Sequence, residues 1–182
     1  MTGAPIDRIE ELRLSAADDA EIAALLARAF GDSDFGGRSF HQQRHHLRLV
    51  LRDPQIIGHM ALIYRAIRLG DALVDIVGLA EVATDPDRRG EGIATRLLTA
   101  AIDEARGSGA QFFVLFGNRL IYAGHGFRRV ANPYTYVTLY GARTGAVTRR
   151  DGQGADDDMM VLPLSDVPWD ETAHIDMLGT KF

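Results

Sequence analysis

The chain has 182 residues, which is long enough for one buried core and short for two domains. Its 46% hydrophobic and 25% charged residues are ordinary for a globular protein, and no run of about 18 apolar residues predicts a membrane span. The formal charge of -5 disfavours nucleic acid as a partner, and the absence of cysteine excludes disulfides, zinc–thiolate sites and a cysteine nucleophile.

The first residues carry no recognisable targeting signal. They read MTGAPIDRIEEL, without the basic region and apolar core that mark a secretory signal. We therefore expect a cytoplasmic protein without a membrane partner.

The first part of the chain predicts a strand, two helices and a break between the helices. Residues 9–14 alternate as a strand does, and helical spacing follows from Ser15, with Asp18 completing a capping-box pattern. A turn-rich break is predicted at 31–37 and a second helix over 38–46.

The rest of the chain predicts a strand meander, a helix and further strands. Residues 47–86 are β-branched and apolar, with turn signals at Asp53-Pro54 and Gly70-Asp71, so they predict three antiparallel strands. The next helix ends near Gly107 and has on one face Ile93, Leu97, Leu98, Ala101 and Ile102. The later elements are a buried strand (111–117), one or two helical turns (118–127), a strand (134–141), a polar loop (143–158), a last strand (159–164) and an irregular tail (165–182).

This order of elements predicts the fold class. No internal repeat and no linker divides the chain, so residues 1–182 are expected to form one domain. The fold class is α/β, with a mixed, mainly antiparallel central sheet flanked by helices.

The most informative segment joins a strand to a helix and reads DPDRRGEGIATRLLTAAIDEA (85–105). The first N–H groups of a helix have no internal partner, and the helix dipole adds partial positive charge there. Glycines let a bulky anion approach, and Arg88 and Arg89 add formal charge, so the segment predicts a phosphate site. The alternative interpretation of this segment is a tight strand-to-helix turn with solvated arginines. The segment is neither a nucleotide-triphosphate loop nor a dinucleotide fingerprint, because no Gly-Lys-Ser/Thr follows and Thr95 replaces the third glycine.

Two motifs in this segment and after it resemble those of the GNAT N-acetyltransferases. Arg89-x-x-Gly92-x-Ala94 is similar to the family's Arg/Gln-x-x-Gly-x-Gly/Ala signature, and Tyr122-x-x-x-Gly126-Phe127 is similar to its Tyr-x-x-x-Gly-Phe. The resemblance covers roughly residues 9 to 140 and implies the GNAT (acyl-CoA N-acyltransferase) fold, with acetyl-CoA as co-substrate and no metal. It also allows a homodimer, since many members of the family are dimers.

The resemblance implies which residues hold the co-substrate. In the family this loop holds the pyrophosphate of acetyl-CoA, and backbone N–H groups of the preceding strand pair with the pantetheine arm. The residues so implied are Val82, Thr84, Arg88, Arg89, Gly90, Glu91, Gly92, Ile93, Ala94 and Thr95.

The chain also resembles two narrower groups, the aminoglycoside 2'-N-acetyltransferases and the nodulation N-acyltransferases. The strand meander, IYAGHGF, the acidic loop and VLPL are similar to the first group, and the tryptophan-containing tail is similar to the second. Both groups modify an amine on a sugar, so the resemblance implies a small-molecule amine as the acceptor.

Acetyl transfer to an amine needs a base and an acid, and the family resemblance implies one residue for each role. An alkylammonium titrates near ~10 and must lose its proton, and Glu81 is the only carboxylate in the strand before the loop. Counting from Arg89 places the aminoglycoside group's glutamate at Ala80, so the role of Glu81 depends on a β-bulge in this strand, and an exposed strand glutamate is the alternative. Tyr122 is the implied acid for the thiolate, with simple packing against the sheet as the alternative.

Substrate contacts are implied for three places in the chain. Asp32 and Asp34 follow the first helix, and Asp156, Asp157 and Asp158 lie in the late loop, where carboxylates would attract a polycation. The carboxylate of Phe182 is a further candidate, and acidic loops that only keep the protein soluble are the alternative for both clusters.

The histidines are interpreted as structural. His41, His45 and His46 have helical spacing, but no third ligand stands out, so a solvated helix face is predicted in place of a metal site. His59 is predicted to be a satisfied core residue, and Trp169 is predicted to anchor the tail.

The sequence thus predicts an acetyl-CoA-dependent N-acetyltransferase that acts by direct attack in a ternary complex. The acceptor is a primary amine of a small molecule, such as an amino sugar or an aminoglycoside-like compound. The alternatives are an acyltransferase with another donor or amine, and a GNAT-fold module that binds CoA or a ligand without turnover.

Overall fold

The computed structural model describes residues 5–31, 35–140, 143–154 and 157–182, and within these ranges the strands form one sheet. The strands are β1 (Ile6–Glu10), β2 (Leu47–Arg52), β3 (Ile56–Leu69), β4 (Ala72–Thr84), β5 (Phe112–Phe116), β6 (Arg128–Arg129), β7 (Tyr134–Tyr140), β8 (Arg143–Arg150), β9 (Met159–Pro163) and β10 (Ile175–Asp176). The α-helices that lie wholly within the described residues are α1 (Ala16–Phe30), α2 (Ile93–Arg106) and α3 (Leu120–Gly124). Single 3-10 turns are formed by Glu11–Arg13 and Pro86–Arg88.

The sheet is mixed and mainly antiparallel, as predicted. Its strand order is β6-β9-β5-β4-β3-β10-β7-β8, and β2 pairs with the first half of β3 and carries β1 at its outer side. The parallel pairs in the described residues are β4 with β5 and β10 with β7. The helix α2 connects the first of these parallel pairs, which is the usual way to join parallel neighbours.

The meander and the first helix follow their sequence signals. The strands β2, β3 and β4 pair antiparallel in succession, which confirms the prediction for 47–86. Ser15 caps α1, since its hydroxyl accepts a hydrogen bond from the Asp18 backbone N–H at 3.1 Å. The first strand covers Ile6–Glu10 and not the predicted 9–14: it begins earlier than predicted and ends at Glu10, because the chain turns into a 3-10 helix at Glu11.

Apolar side chains fill both faces of the sheet. The predicted face of α2 packs against Leu62, Leu79, Phe113 and their neighbours on one side. On the other side, Trp169 packs edge-on against Phe112 with ring centroids 5.0 Å apart, and its indole N–H donates to Asn132 Oδ1. The tail is therefore anchored by Trp169, as predicted.

The predicted second helix over 38–46 is wrong, because tertiary partners take its backbone groups. The carbonyl of Ser39 accepts from Arg48, and the His41 N–H donates to the Glu81 carboxylate. The His46 N–H donates to the Leu62 carbonyl of β3. Groups bonded in this way cannot form the i to i−4 ladder of a helix.

The predicted loop over 143–158 is wrong for its first half, because residues 143–150 form β8 and pair with β7. Six of the eight residues of β8 are exposed and the other two are half-buried, so this edge strand has no buried face. An edge strand without a buried face leaves no period-two apolar signal in the sequence. The tail over 165–182 is irregular apart from β10.

No helix within the described ranges is both long enough and apolar enough to cross a membrane.

Candidate active site

A pocket opens where two central strands separate. Residues 76–79 of β4 pair with residues 112–115 of β5, and beyond Leu79 and Leu115 the two strands diverge. The pocket has a volume of about 770 Å³ and is lined by the ends of both strands, the loop before α2, the helix α3 and Phe182. The sequence-predicted residues in this lining are Glu81, Val82, Thr84, Arg89, Gly90, Gly92, Ile93, Ala94, Thr95, Tyr122 and Phe182.

The strand β4 contains the bulge on which the role of Glu81 depends. In the β3–β4 ladder His59 pairs with Ala83 and Ala61 pairs with Ala80, so two residues of β4 stand opposite one residue of β3. Glu81 has φ 51°, a left-handed conformation that is uncommon for a residue with a side chain. The bulge turns the side chain of Glu81 away from the face that regular alternation would give it.

The Glu81 carboxylate is buried among groups from the segment between α1 and β2. Its Oε1 accepts from the His41 backbone N–H at 2.7 Å and lies 3.0 Å from His45 Nε2, and its Oε2 accepts from Arg48 at 3.0 Å. The His45 ring is not aligned for a good hydrogen bond, and its Nδ1 has no hydrogen-bond partner among the described residues. The side chain of Glu81 is only 6% exposed.

Arg48 organises this buried network. Its guanidinium has no exposed surface and donates twice to Glu11, at 2.7 and 3.1 Å, as well as to the Ser39 carbonyl and to Glu81. It also lies 3.2 Å from His59 Nε2. Two carboxylates thus balance one fully buried cation, which is the condition for keeping a charge in the interior.

His59 is a satisfied core residue, as predicted, and its tautomer follows from its neighbours. An arginine can only donate, so Nε2 accepts from Arg48 and Nδ1–H donates to the Glu81 carbonyl at 2.8 Å. Burial, together with the charge of Arg48, lowers the pKa of His59 to about 3. The neutral ring therefore fixes the backbone of the bulge at Glu81.

The Glu81 carboxylate is ionised at neutral pH. Burial by itself would raise its pKa, but the contact with His45 and the charge of Arg48 outweigh burial and hold the pKa below the ordinary value of a glutamate. A carboxylate with a low pKa is a weak direct base, so it would act on an amine through water or through its field.

The start of α2 is open and uncapped. Gly90 and Gly92 have φ 87° and 77°, a region that favours glycine, and a Cβ at either position would meet no atom within 4 Å. No side chain caps the helix and its first turn has no acidic residue. The N–H groups of this turn therefore face the pocket without a competing acceptor from the helix cap, which suits an anion.

Arg88 and Arg89 differ in their partners. Arg88 donates to Glu91 at 2.7 and 2.9 Å and to Asp53 at 2.9 Å, and neither Arg88 nor Glu91 lines the pocket. Arg89 is exposed, lines the pocket and makes no ion pair with any residue in the described ranges. Of the two arginines, Arg89 is thus the one free to meet a phosphate.

Tyr122 lies on α3 with its ring against Gly117 and Phe127. Its hydroxyl has no hydrogen-bond partner in the part of the chain that the structure describes. Burial raises the pKa of the Tyr122 hydroxyl, so the phenol keeps its proton at neutral pH. An unpaired phenol at a pocket wall can donate to a ligand.

The edge of β4 beyond Leu79 has free backbone groups. The Asp85 N–H donates to the Ile57 carbonyl of β3 at 2.9 Å. Successive N–H groups of a strand point to opposite sides, so the Thr84 N–H points into the gap left by β5. Val82 lies two residues earlier, within the bulge, and both Val82 and Thr84 line the pocket.

The acidic clusters do not line the pocket in the described ranges. Asp32, Asp34 and Asp156 lie outside the described residues. Asp157 is buried and accepts from the Tyr134 hydroxyl at 2.7 Å, and Asp158 accepts from Asn118 at 3.0 Å. Their roles in substrate binding stay predictions.

Sequence reasoning missed the side chains that surround Glu81. The histidines were predicted on a solvated helix face, but His45 is buried and the His41 N–H is bound to Glu81. The sequence offered no signal for this, because the contacts join positions about forty residues apart along the chain. Phe116 and Arg119 at the pocket were also missed, although their closeness to Tyr122 could have pointed to them.

Within the described ranges, no group of three or more histidine, aspartate or glutamate side chains could hold a metal ion.

Comparison with known proteins gives the family. The sequence model of the Acetyltransferase (GNAT) domain matches residues 11–130. Escherichia coli YhbS, named as an uncharacterized N-acetyltransferase, is 31% identical over an alignment of 121 residues that covers 63% of this chain and 71% of YhbS. The chain therefore belongs to the GNAT acetyltransferase family, whose members are acyltransferases.

Solved structures share the fold. The crystal structure of Escherichia coli YhbS in complex with CoA has a TM-score of 0.65 and 22% identity, covering 96% of this chain and 89% of that one. A GNAT family acetyltransferase from Brucella melitensis in complex with acetyl-CoA has a TM-score of 0.57 and 23% identity, covering 94% of both chains. The predicted GNAT fold is confirmed.

Proposed function

We propose that this protein transfers an acetyl group from acetyl-CoA to a primary amine of a small molecule, by direct attack in a ternary complex. The acceptor is an amino sugar, an aminoglycoside-like compound or a comparable cationic amine. The observation that carries the proposal is one pocket with an uncapped helix start and Arg89 on one wall and Glu81 and Tyr122 on the others. The complexes of YhbS with CoA and of the Brucella protein with acetyl-CoA support the choice of donor.

The diphosphate of the donor would bind at the start of α2. The N–H groups after Gly92 and the guanidinium of Arg89 supply donors and positive charge. The pantetheine arm would then run along the free edge of β4, where the Thr84 N–H is available, and bring the thioester towards Glu81.

The reaction would use the Glu81 carboxylate at the bulge and the phenol of Tyr122. The acceptor nitrogen loses its proton to water held by the ionised Glu81 carboxylate and attacks the thioester carbon. An N–H group near Val82 supports the oxyanion. The C–S bond then breaks, and Tyr122 passes its proton to the leaving thiolate. The acylated nitrogen releases its remaining extra proton, which returns Tyr122 to the phenol through solvent.

We expect a short acyl group to be preferred over a long one. The ring of Phe182 lies on Gly78 and 5.5 Å from the ring of Phe116, so aromatic side chains bound the space between the separating strands. This supports acetyl over the long acyl chains of a nodulation-type enzyme.

The test is release of free thiol. Purified protein would be incubated with acetyl-CoA and a panel of amino sugars, aminoglycosides and alkylamines, and mass spectrometry would identify the acetylated product. We expect thiol release with at least one amine and faster turnover of acetyl-CoA than of long-chain acyl-CoA. Tight CoA binding without release from any amine, and without an effect of Tyr122→Phe, would instead support a module that only binds its ligand.

A further inference from the structure

Three aromatic rings surround the ammonium group of Lys181. Its Nζ lies 4.8 Å from the ring centroid of Phe116, 4.9 Å from that of Tyr136 and 5.8 Å from that of Tyr134. All three distances are within the range of a cation–π contact. We call the group formed by Phe116, Tyr134 and Tyr136 the aromatic cage.

Among the direct contacts within the described residues, ring faces are what hold this ammonium. Lys181 Nζ forms no hydrogen bond and no ion pair with any residue in the described ranges. A lysine that anchors a chain segment normally gives some of its three donors to a carboxylate or carbonyl. Ring faces attract any ammonium without fixing its donors, so the cage is suited to a cation that can be exchanged.

The surroundings of the cage favour a cation. The Tyr134 hydroxyl donates to the buried Asp157 carboxylate at 2.7 Å, which places a negative charge behind this ring. Arg150 lies 3.8 Å from the same carboxylate and offsets part of that charge. Burial by itself would raise the pKa of Asp157, but the Tyr134 hydrogen bond, the Gly154 N–H and the charges of Arg150 and Lys181 together hold it below the ordinary value of an aspartate. Lys181 makes the smallest of these contributions, so the two groups interact only weakly.

The cage adjoins the pocket through one shared residue. Phe116 forms one wall of the cage and also lines the pocket between β4 and β5. Lys181 enters the cage while the next residue, Phe182, enters the pocket. An acceptor could therefore place one cationic group in the cage while the rest of the molecule lies in the pocket.

The contacts that hold Lys181 in the cage are side-chain contacts that a competing cation can replace. The tail is tied to the sheet by the Gly179 carbonyl, which accepts from Val137, and by the Thr180 carbonyl, which accepts from Arg65. Beyond Thr180 the contacts of the described residues are between side chains. An incoming ligand could therefore displace Lys181 without disrupting the sheet.

We propose that the aromatic cage is the subsite for a second, non-reacting ammonium group of the acceptor, and that Lys181 occupies it when no acceptor is bound. This rests on the proposed function and narrows its acceptor to amines with at least two cationic groups. The cage cannot serve the reacting nitrogen, because that nitrogen must become neutral to attack and a neutral amine loses the cation–π attraction.

The experiment compares 1,5-diaminopentane with pentylamine, which has the same length and one ammonium fewer. Binding of each amine to the CoA-bound protein is measured by calorimetry, and turnover is measured by thiol release. We expect the diamine to bind more tightly than the monoamine. Lys181→Gln should tighten diamine binding by about twofold to thirtyfold, because it removes the competing internal cation.

Variants of one cage residue test the ring itself. In the Lys181→Gln background, Tyr136→Leu should weaken diamine binding, by a factor in the same range as the gain from Lys181→Gln. Tyr136→Phe keeps the ring face and should therefore keep the affinity for the diamine. Tyr140→Leu is the control, because it also replaces a tyrosine of β7 by leucine, but at an exposed ring outside the cage. It should not change diamine binding. Pentylamine binding should not change in any of these variants.

The outcomes separate this proposal from the proposed function. Equal binding of the two amines, or no gain from Lys181→Gln, would overturn the cage as a subsite even if thiol is released. Absence of CoA binding and of thiol release with every amine would overturn the proposed function and the cage with it. Loss of binding in Tyr136→Phe as severe as in Tyr136→Leu would assign the effect to the hydroxyl and also contradict the proposal.

Discussion

Two walls of the same pocket are built in opposite ways. The wall at the start of α2 consists of consecutive residues, and its arginine Arg89 is exposed and unpaired among the described residues. The wall at Glu81 is buried and is held by Arg48, His45 and the His41 backbone from another part of the chain. An open cationic wall suits a ligand that enters and leaves, whereas a buried charged wall holds one group in a fixed position.

The largest effect is expected from a substitution in the buried wall. Glu81→Gln should lower kcat by about 10²-fold to 10⁴-fold, the range of a lost general base, with little change in the KM for acetyl-CoA. Steady-state kinetics with the best amine from the panel would measure both constants. Glu11→Gln is the matched control, because it also removes a carboxylate from Arg48 but lies outside the pocket.

Both glutamate variants should lose stability, since each leaves Arg48 with a single carboxylate partner. Removing one partner of a buried ion pair costs about 3–5 kcal/mol, and urea unfolding would measure it. A fall in kcat of equal size in Glu11→Gln would show that the network as a whole, and not the Glu81 carboxylate, carries the effect.

Tyr122→Phe tests the pocket wall formed by α3. The variant keeps the ring packed against Gly117 and Phe127 and removes only the unpaired hydroxyl, so stability should change little. We expect kcat to fall by about 10²-fold, because the thiolate leaves without a proton donor. Acyl donors with more acidic thiols should partly restore the rate, and an unchanged kcat would assign Tyr122 to packing.

A substitution in the open wall should weaken the binding of acetyl-CoA without slowing the chemical step. Arg89→Ala is expected to raise the KM for acetyl-CoA by about tenfold to a hundredfold, the value of a hydrogen bond to a charged group, and to leave kcat nearly unchanged. Arg88→Ala is the matched control, because Arg88 is engaged by Glu91 and Asp53 and should have a much smaller effect. Equal effects of the two variants would contradict the assignment of the phosphate contact to Arg89.

The last expected effect is on folding and not on kinetics, and it concerns the pH dependence of stability at the buried wall. The pKa of His59 is about 3 in the folded protein and ~6.5 when unfolded, so between these values only the unfolded chain binds the proton. Stability should therefore fall as the pH falls from 6.5 towards 4, by about 1.4 kcal/mol per pH unit.

Urea unfolding at several pH values would measure this slope. His59→Gln should flatten it, and His125→Gln, which changes a histidine outside the network, should leave it as it is. Below the ordinary glutamate range the lowered pKa of Glu81 and Glu11 adds a second loss, since both carboxylates stabilise the fold only while ionised. An unchanged slope in His59→Gln would mean that the ring is charged in the folded protein.

Local patterns in the sequence predicted much of this molecule. The strands of 47–86, the capping of α1 by Ser15 and the helix after Gly92 depend on residues close in the chain, so apolar periodicity and turn residues were enough. The loop with Arg89 was found for the same reason, because a phosphate site at a helix start needs only consecutive residues.

Only the tertiary structure decided what surrounds Glu81 and the cage. Residues 38–46 have helical spacing, yet Arg48 and Glu81 bind their backbone groups and prevent a helix, and the strand β8 has no apolar face to mark it. The cage gathers Phe116, Tyr136 and Lys181 from distant positions. Periodicity reports which face of an element is buried, but it carries no information about which distant charge or ring will meet it, because that depends on the order in which the strands pair.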